Sequence, residues 1–303
     1  MTHLALVGPT ASGKSALALE LANKLGDIEI VSCDSMQVYR GLDIGTAKAS
    51  PDERSQVPHH LVDVIDPEEE WSVARFQQAA RAAVADIESR NKRALLVGGT
   101  GLYFQAVVDD LRIPGEDPDV RAALEARTTE PGGIASAYAE LAERDPLAAS
   151  RVDPHNARRI VRALEVMEVT GKPFSSFGPG VHTPGPTAFA VRIAGIWLPR
   201  DVTASRITAR VAAMRDAGLL AEVVALRGRL SRTAAQAIGY REVLRHLDSE
   251  HHALDDALAE AARRTRSFAR RQRMWFRRDR RIVWYATARN PDAVLPGLLA
   301  AWG

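Results

Sequence analysis

Eight residues near the N-terminus, Gly8-Pro9-Thr10-Ala11-Ser12-Gly13-Lys14-Ser15, have the spacing G-x-x-x-x-G-K-[ST]. Glycines in such a loop let backbone N–H groups turn inward and cradle phosphate oxygens. Lys14 reaches terminal phosphates, and the Ser15 hydroxyl suits Mg²⁺. Gly8, Pro9, Thr10, Ala11, Ser12, Gly13, Lys14 and Ser15 are therefore candidate phosphate-binding residues. The apolar run His3–Val7 precedes the loop as a strand, and a helical pattern from Ala16 follows it. That context makes an ordinary Gly-rich turn the weaker explanation. The motif by itself does not say which phosphorylated compound binds.

Asp34 is the second chemical candidate. It closes Ile28–Ser32, which reads as a strand, in the stretch Cys33-Asp34-Ser35-Met36-Gln37-Val38-Tyr39. In a doubly wound sheet, ligands sit beyond the carboxyl ends of the strands, so Asp34 shares a rim with the phosphate loop. There it can be a Mg²⁺ ligand, a general base or a helix N-cap. A third strand, Ala94–Val97, is apolar throughout, as a buried parallel strand should be, and runs into Gly98-Gly99-Thr100-Gly101. Thr100 either caps the next helix or faces the same rim. Past the strand 189–197, Asp201 caps a helix on which Arg206 and Arg210 share a face and can close over phosphates. The pair His59-His60 lies in an expected strand, 59–64, where neighbours point to opposite faces, so it is assigned no metal.

The elements behind these residues alternate strand and helix as far as Pro114, the pattern of an α/β protein with a parallel sheet. From Asp117 to about Thr170 the patterns are helical only, interrupted by Pro-Gly-Gly at 131–133. A breaker-rich segment follows, with Gly171, Pro173, Gly178, Pro179, Gly180, Pro184, Gly185 and Pro186. Residues 115–186 thus read as a helical insert in a core made of 1–114 and 187–303. The last long helix runs from about Leu254 to Phe276. Ala261, Thr265, Phe268, Gln272 and Trp275 fall on its inner side, and Arg263, Arg266, Arg270, Arg273 and Arg277 on a basic outer face.

Charge is segregated. The 303 residues carry a net charge of only +2. Yet 263–281 holds ten arginines against the single Asp279, a segment suited to a polyanion. One cysteine, Cys33, fits a small buried residue in a reducing compartment. With no signal-peptide pattern and no membrane-length apolar run, a cytoplasmic enzyme without a membrane partner is expected.

Several stretches together resemble the bacterial tRNA dimethylallyltransferases. They are the phosphate loop, Asp34 through Lys48 (DSMQVYRGLDIGTAK), Gly98 through Tyr103 (GGTGLY), Arg162-Ala163-Leu164-Glu165-Val166, Ile238-Gly239-Tyr240, and Thr265-Arg266 through Arg271-Gln272 to Trp275. The resemblance implies a P-loop, nucleotide-kinase-like core with a helical insertion that grips the tRNA anticodon stem-loop. It implies transfer of the dimethylallyl group of dimethylallyl diphosphate to N6 of the adenosine just 3′ of the anticodon, with Mg²⁺ as cofactor. On this reading the loop holds a departing diphosphate instead of the usual ATP or GTP. Asp34 matches the family's base. Lys14, Ser15 and Arg206 assist the leaving group, with Ser15 standing where Thr is usual. Asp34, Ser35, Met36, Gln37, Thr100 and Arg121 are implied tRNA contacts, as are Arg159 and Arg162, with Arg158 in place of the family's Gln. Arg270 and Arg273 are added from the basic helix. The chain is expected to work as a monomer. The competing readings are a nucleotide-kinase-type phosphotransferase, which explains neither the Asp34–Gln37 stretch nor the basic helix, and an RNA-binding ATPase, in which the basic helix is primary and the loop merely a switch.

Overall fold

The computed structural model describes residues 1–109, 111–178, 181, 184–249 and 252–303; Pro179 and Gly180 of the expected linker lie outside them. The chain divides into two compact units, Met1–Asp110 with Pro184–Gly303, and Leu111–Thr183.

In the first unit the strands are β1 (His3–Val7), β2 (Ile28–Ser32), β3 (His59–His60), β4 (Arg93–Gly98), β5 (Val191–Trp197) and β6 (Ile282–Ala286). All pair in parallel, in the order β3-β2-β4-β1-β5-β6. The helices along the chain are α1 (Lys14–Leu25), α2 (Pro51–Gln56), α3 (Val73–Ser89) and α4 (Gly101–Val108), then α5 (Pro118–Thr129), α6 (Gly133–Arg144), α7 (Pro146–Ala149) and α8 (Ala157–Thr170) of the second unit, and finally α9 (Arg200–Asp216), α10 (Leu219–Leu226), α11 (Tyr240–Leu247), α12 (Leu254–Phe276) and α13 (Leu295–Trp302). Side chains alternate across the sheet. Leu4 and Leu6 pack with Leu17 and Leu21 of α1 and Trp302 of α13, while Ala5 and Val7 pack with Phe76 and Val84 of α3 and Phe276 of α12. Both faces are covered, which is why the strands are apolar almost without interruption. Register brings the functional strand ends together: Val7 lies beside Gly98, and Ser32 beside Val97.

Two local expectations change. The strand expected over 59–64 stops at His60, because Leu61 (φ 62°) and Asp63 (φ 56°) take left-handed backbone that no strand accommodates. Helix α9 begins at Arg200 with Pro199 at its cap, so Asp201 lies in the first turn, where its charge suits the dipole without capping. Helix α2 has a Ser50–Glu53 capping box, a signature written in the sequence as Ser50-Pro51-Asp52-Glu53.

The second unit has its own core, with Leu124, Leu141, Ile160, Leu164 and Met167 from α5, α6 and α8. Beside it, fully buried Glu165 accepts from Arg121, Arg162 and the Asp117 N–H, so its charge is paired. Among the described residues no helix is long and apolar enough to cross a membrane.

Candidate active site

The phosphate loop connects β1 to α1. Ala11 (φ 61°) and Gly13 (φ 85°) both take left-handed backbone, the kind that turns successive N–H groups into a concave anion cradle. Gly13 has a second reason to lack a side chain: a Cβ there would lie 2.5 Å from the Pro291 Cβ. Because α1 starts at Lys14, the Lys14 and Ser15 amides have no intrahelical acceptor and the positive end of the helix dipole points at the loop.

Three cations gather on this cradle. Lys14 Nζ donates to Pro9 O at 3.2 Å, Arg206 Nε to Ala11 O at 2.8 Å, and Arg210 Nη1 to Thr10 Oγ1 at 3.2 Å. Burial, reinforced by the neighbouring Arg210 guanidinium, pushes Lys14 down to about 8, against the opposing pull of Asp34. Burial also lowers Arg210, again opposed by Asp34. A bound polyanion would relieve both.

Asp34 faces the same cavity, of about 550 Å³, which is also lined by Thr10, Lys14, Ser15 and Arg210. Its Oδ1 accepts from the Met36 N–H at 2.9 Å, which fixes the carboxylate in an Asx turn instead of a helix cap. Thr100 stands at the N-cap position of α4 yet makes no side-chain cap bond, and it lines the cavity with Ser35 and Met36. Gln37 lines it too, but its amide is engaged: Oε1 accepts from Ser32 Oγ at 2.8 Å, and Nε2 donates to Thr46 O and Ala47 O. Gln37 therefore ties the end of β2 to the Gly45–Lys48 loop. From the other side, Glu222 accepts the Asp43, Ile44 and Gly45 N–H groups and the Tyr240 hydroxyl.

Helix α12 closes the cavity with Thr265, Phe268, Arg271 and Gln272. Arg263, Arg266, Arg270 and Arg277 are exposed. Arg273 corrects the expectation of a uniformly basic outer face. It is 6% exposed, donates to Leu198 O and Thr203 Oγ1, and lies over the Trp197 ring. Its guanidinium holds the β5–α9 junction and offers no outer surface. Cys33 is buried, and burial pushes its thiol far up, so it is no nucleophile. In the second unit, Arg158 and Arg159 are exposed on α8, whereas Arg121 and Arg162 are bound to Glu165. Site residues that sequence reasoning left out are Gln272 and Glu222. The signal for Gln272 was an amide on the inner side of a helix, since buried amides are hydrogen-bonded.

A family model described as IPP transferase matches residues 37–279, and one described as isopentenyl transferase matches residues 1–64. The chain belongs to the IPP transferase family. Its relatives within the family include a tRNA dimethylallyltransferase of Kineococcus radiotolerans, 51% identical over 95% of this chain and 92% of the relative. One from Bifidobacterium animalis subsp. lactis is 49% identical over 96% of this chain and 84% of the relative. Among solved IPP transferase structures, the tRNA isopentenylpyrophosphate transferase of Bacillus halodurans is 37% identical, with a TM-score of 0.72, covering 99% of this chain and 95% of that one. A eukaryotic dimethylallyltransferase acting on tRNA is 28% identical, with a TM-score of 0.77, over 95% of this chain and 74% of that one. The α/β fold with a P-loop core is thus that of the family.

Proposed function

We infer that this chain transfers the dimethylallyl group of dimethylallyl diphosphate to N6 of the adenosine just 3′ of the anticodon in tRNA, releasing diphosphate. The observation that carries the reading is a single cavity lined by both a cationic phosphate loop and the fixed carboxylate Asp34. The relatives' name, tRNA dimethylallyltransferase, supports the substrate pair.

The reaction forms a bond from N6 to the allylic carbon and breaks that carbon's bond to oxygen. The bonding electrons leave with the diphosphate, and N6 gives up one proton. Charge therefore grows on the leaving group. First-turn amides of α1, Lys14, Arg206 and Arg210 meet it, each preorganised donor contributing about 2.7–4 kcal/mol by analogy with oxyanion holes. The lone pair of N6 is delocalised into the ring, so removal of its proton as attack proceeds helps. Asp34, held by Met36 N–H, takes that proton, and such general bases contribute typically ~10²–10⁴-fold. Mg²⁺ fits the donor set, since the exposed Ser15 hydroxyl and the diphosphate supply hard oxygens. When bound it supplies charge neutralisation on the leaving group.

The tRNA would meet Ser35, Met36 and Thr100 at the cavity and exposed Arg270 on α12, with Arg158 and Arg159 of the second unit on the anticodon stem-loop. The adenine must leave its stack, at a cost of a few kcal/mol that is smallest in an unpaired loop. Incubation with unmodified tRNA, Mg²⁺ and either labelled dimethylallyl diphosphate or γ-labelled ATP tests the reading. Label is expected in tRNA from the diphosphate only. Phosphate transferred from ATP, or ATP hydrolysis stimulated by RNA without prenyl transfer, would establish one of the competing activities.

A further inference from the structure

The two ends of one side chain connect α12 to the phosphate loop and to the turn between β4 and α4. Gln272 Oε1 accepts the Thr10 N–H at 2.8 Å, and Gln272 Nε2 donates to Gly99 O at 3.0 Å. Gln272 is 6% exposed and lines the cavity. A Cβ on Gly99 would collide with Gln272 Nε2, so that glycine makes room for the amide. The adjacent Arg273 fastens the same turn of α12 to Leu198 O and Thr203 Oγ1, which keeps Gln272 from withdrawing. Thr10 is held from a second direction by Arg210 on its hydroxyl.

We propose that Gln272 is a positioning residue for dimethylallyl transfer, which locks the phosphate loop in its ligand-receiving shape by bridging Thr10 N–H to Gly99 O. The proposal rests on the diphosphate-binding reading of the loop. A phosphate loop with left-handed Ala11 and Gly13 has other accessible shapes, because Gly13 is conformationally free and left-handed Ala11 costs energy that other backbone shapes would relieve. The bridge removes that freedom at Thr10. It also commits one loop N–H to protein, leaving the diphosphate to the first-turn amides of α1, Lys14 and the two arginines. Only an amide meets both ends: Thr10 needs an acceptor and Gly99 needs a donor. A glutamate serves the first and repels the second, and a methionine serves neither.

The test compares the full-length protein with Gln272→Met and Gln272→Glu. It measures dimethylallyl diphosphate affinity by calorimetry without tRNA, KM for each substrate, and thermal melting. Both variants are expected to lose about tenfold in diphosphate affinity, the equivalent of one hydrogen bond. KM for dimethylallyl diphosphate should rise accordingly, while KM for tRNA stays put. Unchanged diphosphate affinity in either folded variant would overturn the proposal. So would an equal rise of both KM values together with lowered melting, the mark of general destabilisation. Size-matched methionine keeps the packing should the charged variant fail to fold. The affinity arm needs no turnover: if the parent protein binds the diphosphate but transfers nothing, the functional reading fails while Gln272 is still judged on binding.

Discussion

Lys14 and Asp34 do opposite work within one cavity, and each is set by its neighbours. Lys14 is held at about 8 by burial and by Arg210, so its charge is easily lost. On the proposed function dimethylallyl diphosphate binds the protonated lysine, and linkage then fixes the sign of the pH dependence. Affinity should be level below pH 8 and fall ~tenfold per unit above it as Lys14 deprotonates. Calorimetry from pH 7 to 10 checks this, and Lys14→Arg should remove the break because guanidinium does not titrate there. For Asp34→Asn the expected loss is ~10²–10⁴-fold in single-turnover rate, with tRNA affinity retained. An unaltered rate would take the carboxylate out of the chemical step. That both residues line one cavity was legible in the sequence, because each follows a strand of the parallel sheet at its carboxyl end. Gln37 shows the limit: its type was legible, its partners were not. Its amide bonds run to Ser32, Thr46 and Ala47, and the last two lie in a loop whose path no local pattern dictates.

Helix α12 shows how an element can be read correctly in extent and wrongly in one facet. Its span follows from the helical period, and so does part of its seam: Ala261 and Gln272 are buried, while Thr265, Phe268 and Trp275 are half-buried. The period also spaces Arg266, Arg270, Arg273 and Arg277 by three and four, which suggests one face. Arg273, however, is four residues after buried Ala269 and three before buried Phe276, so it sits at the edge of the seam and turns under it. The two arginines should therefore fail in different ways. Arg270→Glu should weaken tRNA binding and lower the slope of log affinity against log salt by about one, seen in filter-binding titrations, with melting unchanged. Arg273→Met strands the Leu198 carbonyl and takes one partner from the Thr203 hydroxyl, which keeps its bond to Pro199 O, and should cost about 1–3 kcal/mol in denaturant unfolding, with little change in salt slope. A matching salt effect at both positions would return Arg273 to the outer face.

At the scale of the whole molecule, each of the two compact units has hydrophobic packing of its own. Every candidate diphosphate and base residue belongs to the unit built on the parallel sheet, where strand ends converge because β1 pairs with both β4 and β5. The helical patterns from Asp117 to Thr170 were legible because they break the strand–helix alternation, and the helices α5 to α8 enclose a separate core. What the sequence did not disclose is that two of the arginines there, Arg121 and Arg162, are spent on the buried Glu165, since a carboxylate in a helical pattern carries no mark of burial. Separate cores predict separable losses. Leu164 is fully buried in the second unit, and Leu164→Ala should cost about 2–5 kcal/mol there. Amide exchange should quicken across α5 to α8 while the amides of β1, β4 and β5 keep their protection. If the second unit supplies tRNA contacts and the first holds the donor, tRNA affinity falls in this variant and dimethylallyl diphosphate affinity does not. Loss of both affinities together would mean that the two units unfold as one, and retention of both would mean that the exposed Arg158 and Arg159 of α8 touch no RNA.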